Sequence, residues 1–406
     1  MAHRSENDKA FQQVLEVLIE NGLEGMARAM EVLFNEAMKI ERTAFLGADS
    51  HERTSTRRGY RNGFKDKSIK TRVGELNVSV PQVRDLKDPA DAFYPKSLEK
   101  GLRSERALKL AIAEMYVQGV STRRVKEITR ELCGLEVSST AVSRASKLLD
   151  EELERWRNRP IGKILHLILD ARYEKVRHGG SVVDCAVLMA IGVRADGKRS
   201  VLGVSVSLSE AEVHWREFLA SLQERGMHGV LSVTSDDHKG IREALKARLT
   251  GVKWQRCQFH LQQNAQRYVP KVAMREEVAL AIKDIFNAPD RQEAENRLGR
   301  MVERYRKRAP RLVEWAEENI PEGLTVFDLP ATHRRRLRTT NGLERISEEI
   351  KRRTRVARLF PNESSLLRLI SAVLSEISEE WETGRAYLNM KNERPATSDI
   401  YRKEVA

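Results

Sequence analysis

Two periodicities divide the chain. Between about residues 161 and 257 short apolar runs bounded by turn residues dominate, and elsewhere apolar positions recur at helical spacing. The run Ile164-Leu165-His166-Leu167-Ile168-Leu169 closes on Asp170. Its length and β-branched content suggest a buried strand, although a buried helical segment has the same lack of alternation. The strand is expected to continue from Ala171 to Arg177, with a turn at His178-Gly179-Gly180. A second strand follows over Ser181–Val193, a hairpin at Ala195–Lys198, and a third strand over Arg199–Leu208. Ser209 is expected to cap a helix running through Gln223, with Val213, Phe218 and Leu222 apolar. A fourth strand (Gly229–Thr234), a helix carrying Ile241, Leu245 and Leu249, and a short strand (Val252–Gln255) complete the pattern. Three strands joined by turns, then helix, strand, helix, strand, predict a mixed sheet with helices on it. The short connections predict antiparallel pairing of the first three.

The flanking regions are helical. Phe11, Val14, Leu15, Leu18 and Ile19 recur at helical spacing, Asn21-Gly22 interrupts, and Met26, Met30, Leu33 and Met38 resume. They predict a core or self-association face. Residues 68–72 and 76–80 alternate around Gly74-Glu75 and read as a hairpin. Over 104–150 the pattern predicts three helices. Ala107–Tyr116 is the first; the second is capped by Ser121-Thr122, with Val125, Ile128 and Leu132 inward. The third starts at Ser138, with Val142, Ala145 and Leu148 inward. Thr140, Ser143, Arg144 and Lys147 face the other way. This is the layout of a helix-turn-helix whose last helix reads DNA, and equally of a plain three-helix packing unit. A charged helix over 151–159 ends at Pro160, where a domain boundary fits. Residues 260–336 are helical and broken by five prolines, a helix carries Glu344, Ile346 and Ile350, another spans 364–383, and a polar tail begins near Asn392.

Charge changes the picture. Lys and Arg number 72 against 59 Asp and Glu, a net charge of +13, with a pI of 9.6. This excess favours an acidic polymer, nucleic acid first, over a merely soluble basic surface. In residues 51–72 Arg57, Arg58 and Arg61 lie with other cations among Gly59, Gly63, Tyr60 and Phe64, a mixture suited to a backbone close to phosphates. The three cysteines stand far apart, which predicts a reducing, cytoplasmic compartment without disulfides. No apolar leader follows the polar N-terminus. The longest apolar run, Cys185–Val193, falls short of the roughly 20 residues a membrane span needs.

Three carboxylates occupy comparable places. Asp170 ends or lies within the first strand, Asp236 follows the fourth, and Glu344 stands in the first turns of a late helix. An uncompensated buried carboxylate is costly, and each has an ordinary alternative. Asp170 could be a turn residue, and Asp236 with Asp237 a helix-capping pair. Asn341-x-x-Glu344 could be a capping box in which Glu344 reaches back to the backbone. If the first and fourth strands are neighbours, Asp170 and Asp236 converge at the carboxyl end of the sheet and the helix supplies a third ligand. Mg²⁺ suits such oxygen ligands, and two ions about 3.5–4 Å apart clamp the attacking and leaving oxygens of a phosphodiester. Cys257-x-x-His260 offers only two of the ligands a structural zinc needs. The pair is read as packing beside the site, with His260 a candidate phosphate contact.

Six separated stretches resemble one family. Leu169-Asp170-Ala171-Arg172-Tyr173, Ser235-Asp236-Asp237-His238-Lys239-Gly240, Cys257-Gln258-Phe259-His260 and Arg338-Thr339-Thr340-Asn341-Gly342-Leu343-Glu344 resemble the bacterial Mutator-type insertion-sequence transposases. Tyr60-Arg61-Asn62-Gly63 and Met115-Tyr116-Val117-Gln118-Gly119-Val120-Ser121-Thr122 match as well, so the likeness runs from about residue 50 to 390. The resemblance implies a DDE enzyme: an RNase H-like α/β catalytic domain with a mixed sheet and a helical insertion before the final Glu, behind an α-rich DNA-binding region with a helix-turn-helix. Asp170, Asp236 and Glu344 would be the catalytic, metal-holding triad for two Mg²⁺ ions, with Mn²⁺ as a substitute; Cys257, His260 and Asn341 would support it. The expected layout is a helical region (1–50), a basic segment with hairpin (51–103) and a helix-turn-helix domain (104–160). The catalytic core (161–264), insertion (265–336), final helices (337–390) and tail (391–406) follow.

The expected function is cleavage of element ends at inverted repeats and joining of the 3′ hydroxyl to target DNA. A hydrolytic nuclease or resolvase, or a transposase-derived regulator without activity, is the alternative. The expected partners are double-stranded DNA, as terminal inverted repeats and as target, and further copies of this chain, in the bacterial cytoplasm with the nucleoid and away from membranes. Lys351, Arg352, Arg353 and Arg355 are expected to hold backbone phosphates, and Trp315 to stack a displaced base or pack between helices. The chain departs from the family at Ile346-Ser347-Glu348, where an Asn is usual in the middle, so a contact beside Glu344 should differ.

Overall fold

The computed structural model describes residues 2–86, 92–101, 103–355 and 359–390. The expected tail over 391–406 lies outside them. The chain forms two compact units, Met1–Leu148 and Leu149–Ala406.

In the first unit α1 (Ala2–Asn21) and α2 (Met26–Leu46) are followed by an antiparallel hairpin of β1 (Tyr60–Thr71) and β2 (Gly74–Arg84). The turn sits at Arg72-Val73, two residues before the expected place, because Thr71 pairs with Gly74, whose φ of 124° a side chain would not tolerate. α2 covers β2. Met38 packs on Ile69, Leu76 and Val78, while Glu31 and Asn35 accept the Asn77 and Ser79 N–H groups at 2.6 and 2.8 Å. The helix thereby satisfies strand donors that would otherwise lack partners. Phe11, Leu15, Ile19 and Leu23 stay exposed.

Three helices follow: α3 (Arg106–Val117), α4 (Thr122–Cys133) and α5 (Ser139–Ser146). Ser121 and Ser138 cap the last two, accepting from Arg124 and Ala141 N–H, and Gly134 ends α4 in the left-handed region. Two inward assignments fail. Leu132 is 77% exposed because the buried line of α4 runs through Val125 and Thr129, whose hydroxyl returns to the Val125 carbonyl. Leu148 is exposed because the chain tightens to a 3₁₀ turn over Lys147–Leu149, which shifts the facing positions.

The second unit opens with α6 (Asp150–Arg157). Its sheet combines β3 (Ile164–His178), β4 (Ser181–Arg194), β5 (Arg199–Ser207), β6 (Ser232–Ser235) and β7 (Lys253–Arg256) in the order β5-β4-β3-β6-β7. The first three pair antiparallel, and β6 and β7 add parallel to β3 and β6, the mixed sheet the pattern predicts. α7 (Glu212–Glu224) and α8 (Lys239–Arg248) bury Trp215, Leu219 and Ile241 against Leu167 and Leu169 on one face. Ser209 does not cap α7; it accepts from Ala211 N–H at 3.4 Å, and the helix starts later. After β7 come α9 (Gln258–Ala265), α10 (Arg275–Phe286), α11 (Arg291–Tyr305), α12 (Pro310–Asn319) and α13 (Ala331–Leu337), then α14 (Asn341–Thr354) and α15 (Glu363–Thr383). α14 packs on β3, and α15 on β5 and α6. Among the described residues no helix is long and apolar enough to cross a membrane.

Candidate active site

Alternation along β3 sends Leu167 and Leu169 into the α7/α8 core, and therefore His166, Ile168, Asp170 and Arg172 to the opposite face. Asp170 lies in the middle of the strand and is buried. Ile168 pairs with Thr234, the last pair of the parallel β3/β6 ladder, so Asp170 in β3 and Asp236, the first residue past the end of β6, each follow that pair by two residues. Their charges interact. Burial, then repulsion from Asp236, push the Asp170 carboxyl up to about 7, against the pull of His260. Deeper on the same face His166 bonds Ser232 Oγ at 2.8 Å; burial and nearby His333 lower it to about 3, so this ring is neutral.

Asp237 has a different task. Arg242 and Arg256 bind it at 2.9 and 3.0 Å, and Arg256 also binds Glu322 at 2.9 Å. The Asp236 carboxylate accepts only the His238 N–H, at 3.3 Å, among the described residues.

Glu344 stands in the first turn of α14. Thr340, not Asn341, holds the N-cap position and makes no side-chain cap bond, so the capping box is not formed. Glu344 Oε1 is buried without a hydrogen-bond partner. Arg172, two residues past Asp170, donates to the carbonyl of Ser347, one turn past Glu344, and this tie turns α14 toward the Asp170 face of β3. Asn341 is exposed, its N–H 3.5 Å from Thr339 Oγ1.

Cys257 joins these elements. Its N–H donates to the Ser235 carbonyl at 2.7 Å, beside Asp236, and its sulfur accepts the Thr340 N–H at 3.4 Å, at the start of the Glu344 helix. Burial opposes ionisation of its thiol, yet His260 and Thr340 bring the pKa below the ordinary value. Cys257, against the cost of burial, and then Asp170 and Asp236 raise His260 to about 9, although His260 Nδ1 has no partner of good hydrogen-bond geometry. His260 therefore holds its proton more tightly than a free imidazole does, within electrostatic reach of Asp170 and Asp236.

One carboxylate escaped the sequence reading. Glu210 is buried, 3.6 Å from His238 Nδ1, and burial and Asp236 raise its pKa. A Cβ on Gly240 would meet the Glu210 carbonyl oxygen at 2.1 Å, so glycine is what lets α8 start against it. The available signal was an acid between the end of a strand and a helix whose apolar stripe begins later.

Among the described residues no three His, Cys, Asp or Glu side chains converge closely enough to hold an ion as they stand. The donor chemistry fits a hard divalent cation nonetheless. The orphaned Glu344 oxygen and the repulsion between Asp170 and Asp236 would both be relieved by positive charge.

The candidate DNA contacts divide. Thr140, Ser143 and Arg144 on α5 and Lys147 in the turn after it are all exposed. Arg58 is exposed, whereas Arg57 binds the Asp49 and Glu52 carbonyls and Arg61 binds Thr43 Oγ1. Lys351 and Arg355 are exposed, Arg352 is paired with Glu349, and Arg353 is buried against Glu349 and Glu376. Trp315 is buried, and its ring stacks on Tyr268 at 5.6 Å.

The Mutator family transposase model matches residues 1–384. The transposase for insertion sequence element IS406 of Burkholderia multivorans is 56% identical over 391 residues, covering 96% of this chain and 99% of its own. The transposase for ISRM5 of Rhizobium meliloti is 40% identical over 96% of this chain and 97% of its own. That for IS256 in transposon Tn4001 of Staphylococcus aureus is 34% identical over 95% and 98%. With the family model and relatives aligned along nearly their whole length, the chain belongs to the Mutator family of transposases.

Proposed function

We propose that this chain is a DDE transposase of an insertion element, cleaving DNA at the element's inverted-repeat ends and joining the freed 3′ hydroxyl to target DNA. The observation that supports the reading is the interaction of Asp170 in β3 with Asp236, just past the end of the neighbouring parallel β6, together with the unpartnered Glu344 oxygen on α14, a helix that packs on β3. The names of the relatives, transposases for insertion sequence elements, support it. The sheet order and the helical segment between Asp236 and Glu344 fit an RNase H-like core with an insertion.

Asp170, Asp236 and Glu344 would hold two Mg²⁺ ions, or Mn²⁺ in their place; bound there, the metals supply Lewis-acid stabilisation of the attacking and leaving oxygens of a phosphodiester. Burial of Asp170 keeps bulk water from competing for that charge. His260, holding its proton within electrostatic reach of both aspartates, offsets their repulsion and is placed to meet a phosphate oxygen. Cys257 fixes the start of α14 to the end of β6. Exposed Thr140, Ser143 and Arg144, with Lys147 in the turn that follows, give α5 the character of a recognition helix in a helix-turn-helix. The stripe of Phe11, Leu15 and Ile19 suits a second copy of the chain, as a homo-oligomer on DNA requires.

Purified protein mixed with terminal-repeat and target DNA in Mg²⁺ tests the reading. Joined product is expected from the wild type, and none from Asp170→Asn, Asp236→Asn or Glu344→Gln, each still binding DNA. Cleavage without joining would make the protein a hydrolytic nuclease, and binding alone a regulator. An inactive Asp237→Asn beside an active Asp236→Asn would move the second ligand by one residue.

A further inference from the structure

The fold gathers a second set of cations that the sequence scatters. In the second unit a cleft of about 780 Å³ is lined by Arg199, Arg336, Arg345, Arg352 and Arg385. Glu348, Glu349 and Glu380 also reach it, but Glu349 is bound by Arg352 and Arg353, both at 2.7 Å. This leaves Glu348 and Glu380 against four arginines. None of these four, Arg199, Arg336, Arg345 and Arg385, forms an ion pair among the described residues. Burial lowers the Arg199 pKa; Tyr387 and Glu380 oppose this, and repulsion from Arg345 and Arg336 adds to it, so these arginines are close enough to feel one another's charge.

Two of the cations, Arg199 and Arg336, are held by aromatic rings, while Arg345 and Arg385 are exposed. The Arg199 guanidinium lies 3.7 Å from the Trp381 ring centre and 4.6 Å from that of Tyr387, and Arg336 lies 4.9 Å over the same Tyr387 ring. Tyr387 is itself fixed. Its N–H donates to the Gly197 carbonyl and its hydroxyl to the Arg336 carbonyl, both at 2.8 Å. A Cβ at Gly197 would lie 2.0 Å from the Leu388 carbonyl oxygen, so the hairpin before Arg199 must carry glycine for this segment to dock. With ring faces engaging the guanidinium planes, their N–H edges remain for recognition, and those edges match phosphate oxygens in pairs. The cleft adjoins the first turn of α14: a Cβ on Gly342, two residues before Glu344, would stand 3.6 Å from Arg199 Nη1.

We propose that this cleft binds the sugar-phosphate backbone of duplex DNA and leads it to the Glu344 end of α14, a role that rests on the DNA-processing reading above. Planar guanidinium donors, two of them fixed against rings, suit phosphate oxygens better than the flexible carboxylates of an acidic protein segment.

The test measures binding of the full-length chain to a mixed-sequence duplex, and to a single strand of equal length, over a range of KCl concentrations. It compares wild type, Arg345→Glu/Arg385→Glu, and Arg248→Glu, an exposed arginine at the end of α8 outside the cleft. Both cleft positions are exposed, so the double variant should fold, and a melting curve checks this. The double variant is expected to weaken duplex binding by about tenfold or more and to flatten the log Kd against log salt slope by about 2, with Arg248→Glu changing little. Three results overturn the proposal: a double variant with wild-type affinity and slope, an equal loss in Arg248→Glu, or a loss confined to the single strand. Unchanged DNA binding with an altered oligomeric mass would instead make the cleft a protein interface. A wild type that binds neither DNA would sink both this proposal and the transposase reading, whereas loss of the cleft effect alone leaves the latter standing.

Discussion

Asp170 sits where its charge is least welcome, buried on a sheet face with Asp236 close enough to repel it. Its folded pKa, about 7, lies above the ordinary value of 3.8, so the folded state binds the proton more tightly than the unfolded chain. The stability this gives is fully present below about pH 4 and is lost as pH rises through about 7. Asp170→Asn is therefore expected to raise the melting temperature of protein kept in a chelator at about pH 8, to change it little at about pH 4, and to abolish strand cleavage. Equal melting at high pH would mean that Asp170 carries no electrostatic strain. Asp237 behaves otherwise, being bound by Arg242 and Arg256. Two adjacent aspartates in one motif thus divide the work, one left poorly satisfied and one locked into an ion-pair network.

At the scale of elements, Cys257 is the joint between the end of β6 and the start of α14. Cys257→Ala leaves the buried Thr340 N–H without an acceptor, which costs about 1–3 kcal/mol. Cys257→Ser keeps an acceptor and should cost less. Thermal melts of the two variants decide this, and equal losses would reduce the thiol to packing volume. Trp315 belongs to the same scale. With its face on Tyr268, it can take a base only if Tyr268 moves. Trp315→Ala is expected to cost roughly 3–5 kcal/mol of stability and to slow cutting of paired and pre-unpaired ends equally. Loss confined to the paired end would restore the base-stacking role. Helix α5 carries the opposite expectation, because its polar face is free. Arg144→Ala should weaken preference for end DNA over random DNA by about 1–3 kcal/mol, measured by competition binding.

For the molecule as a whole, each unit has its own core, Met38 with the hairpin in the first and the two-faced sheet in the second. A fragment beginning at residue 149 is accordingly expected to fold cooperatively and to lose preference for element ends while keeping salt-dependent DNA binding. Circular dichroism melts and competition binding measure the two parts. A fragment without a cooperative melt would show that the second core depends on the first unit.

The mixed sheet was legible in the sequence because its causes are local. Apolar runs, turn residues at His178-Gly179-Gly180 and Ala195–Lys198, and short connections dictate strands and their antiparallel order. Asp170 and Asp236 could be named because each carboxylate closes an apolar run, although Asp170 proved to lie within its strand and Asp236 just past the end of its own. Capping was legible at Ser121 and Ser138 and misread at Ser209, where two further residues intervene before the helix. Proximity between distant side chains was not legible, since periodicity fixes which face a residue occupies and not what lies across from it. Only the tertiary structure brought Glu210 beside Asp236, buried Arg353 between two glutamates, and set Trp315 on Tyr268. It alone collected Arg199, Arg336, Arg345 and Arg385 from four separate segments around one cleft, an arrangement that depends on chain reversals no local pattern encodes.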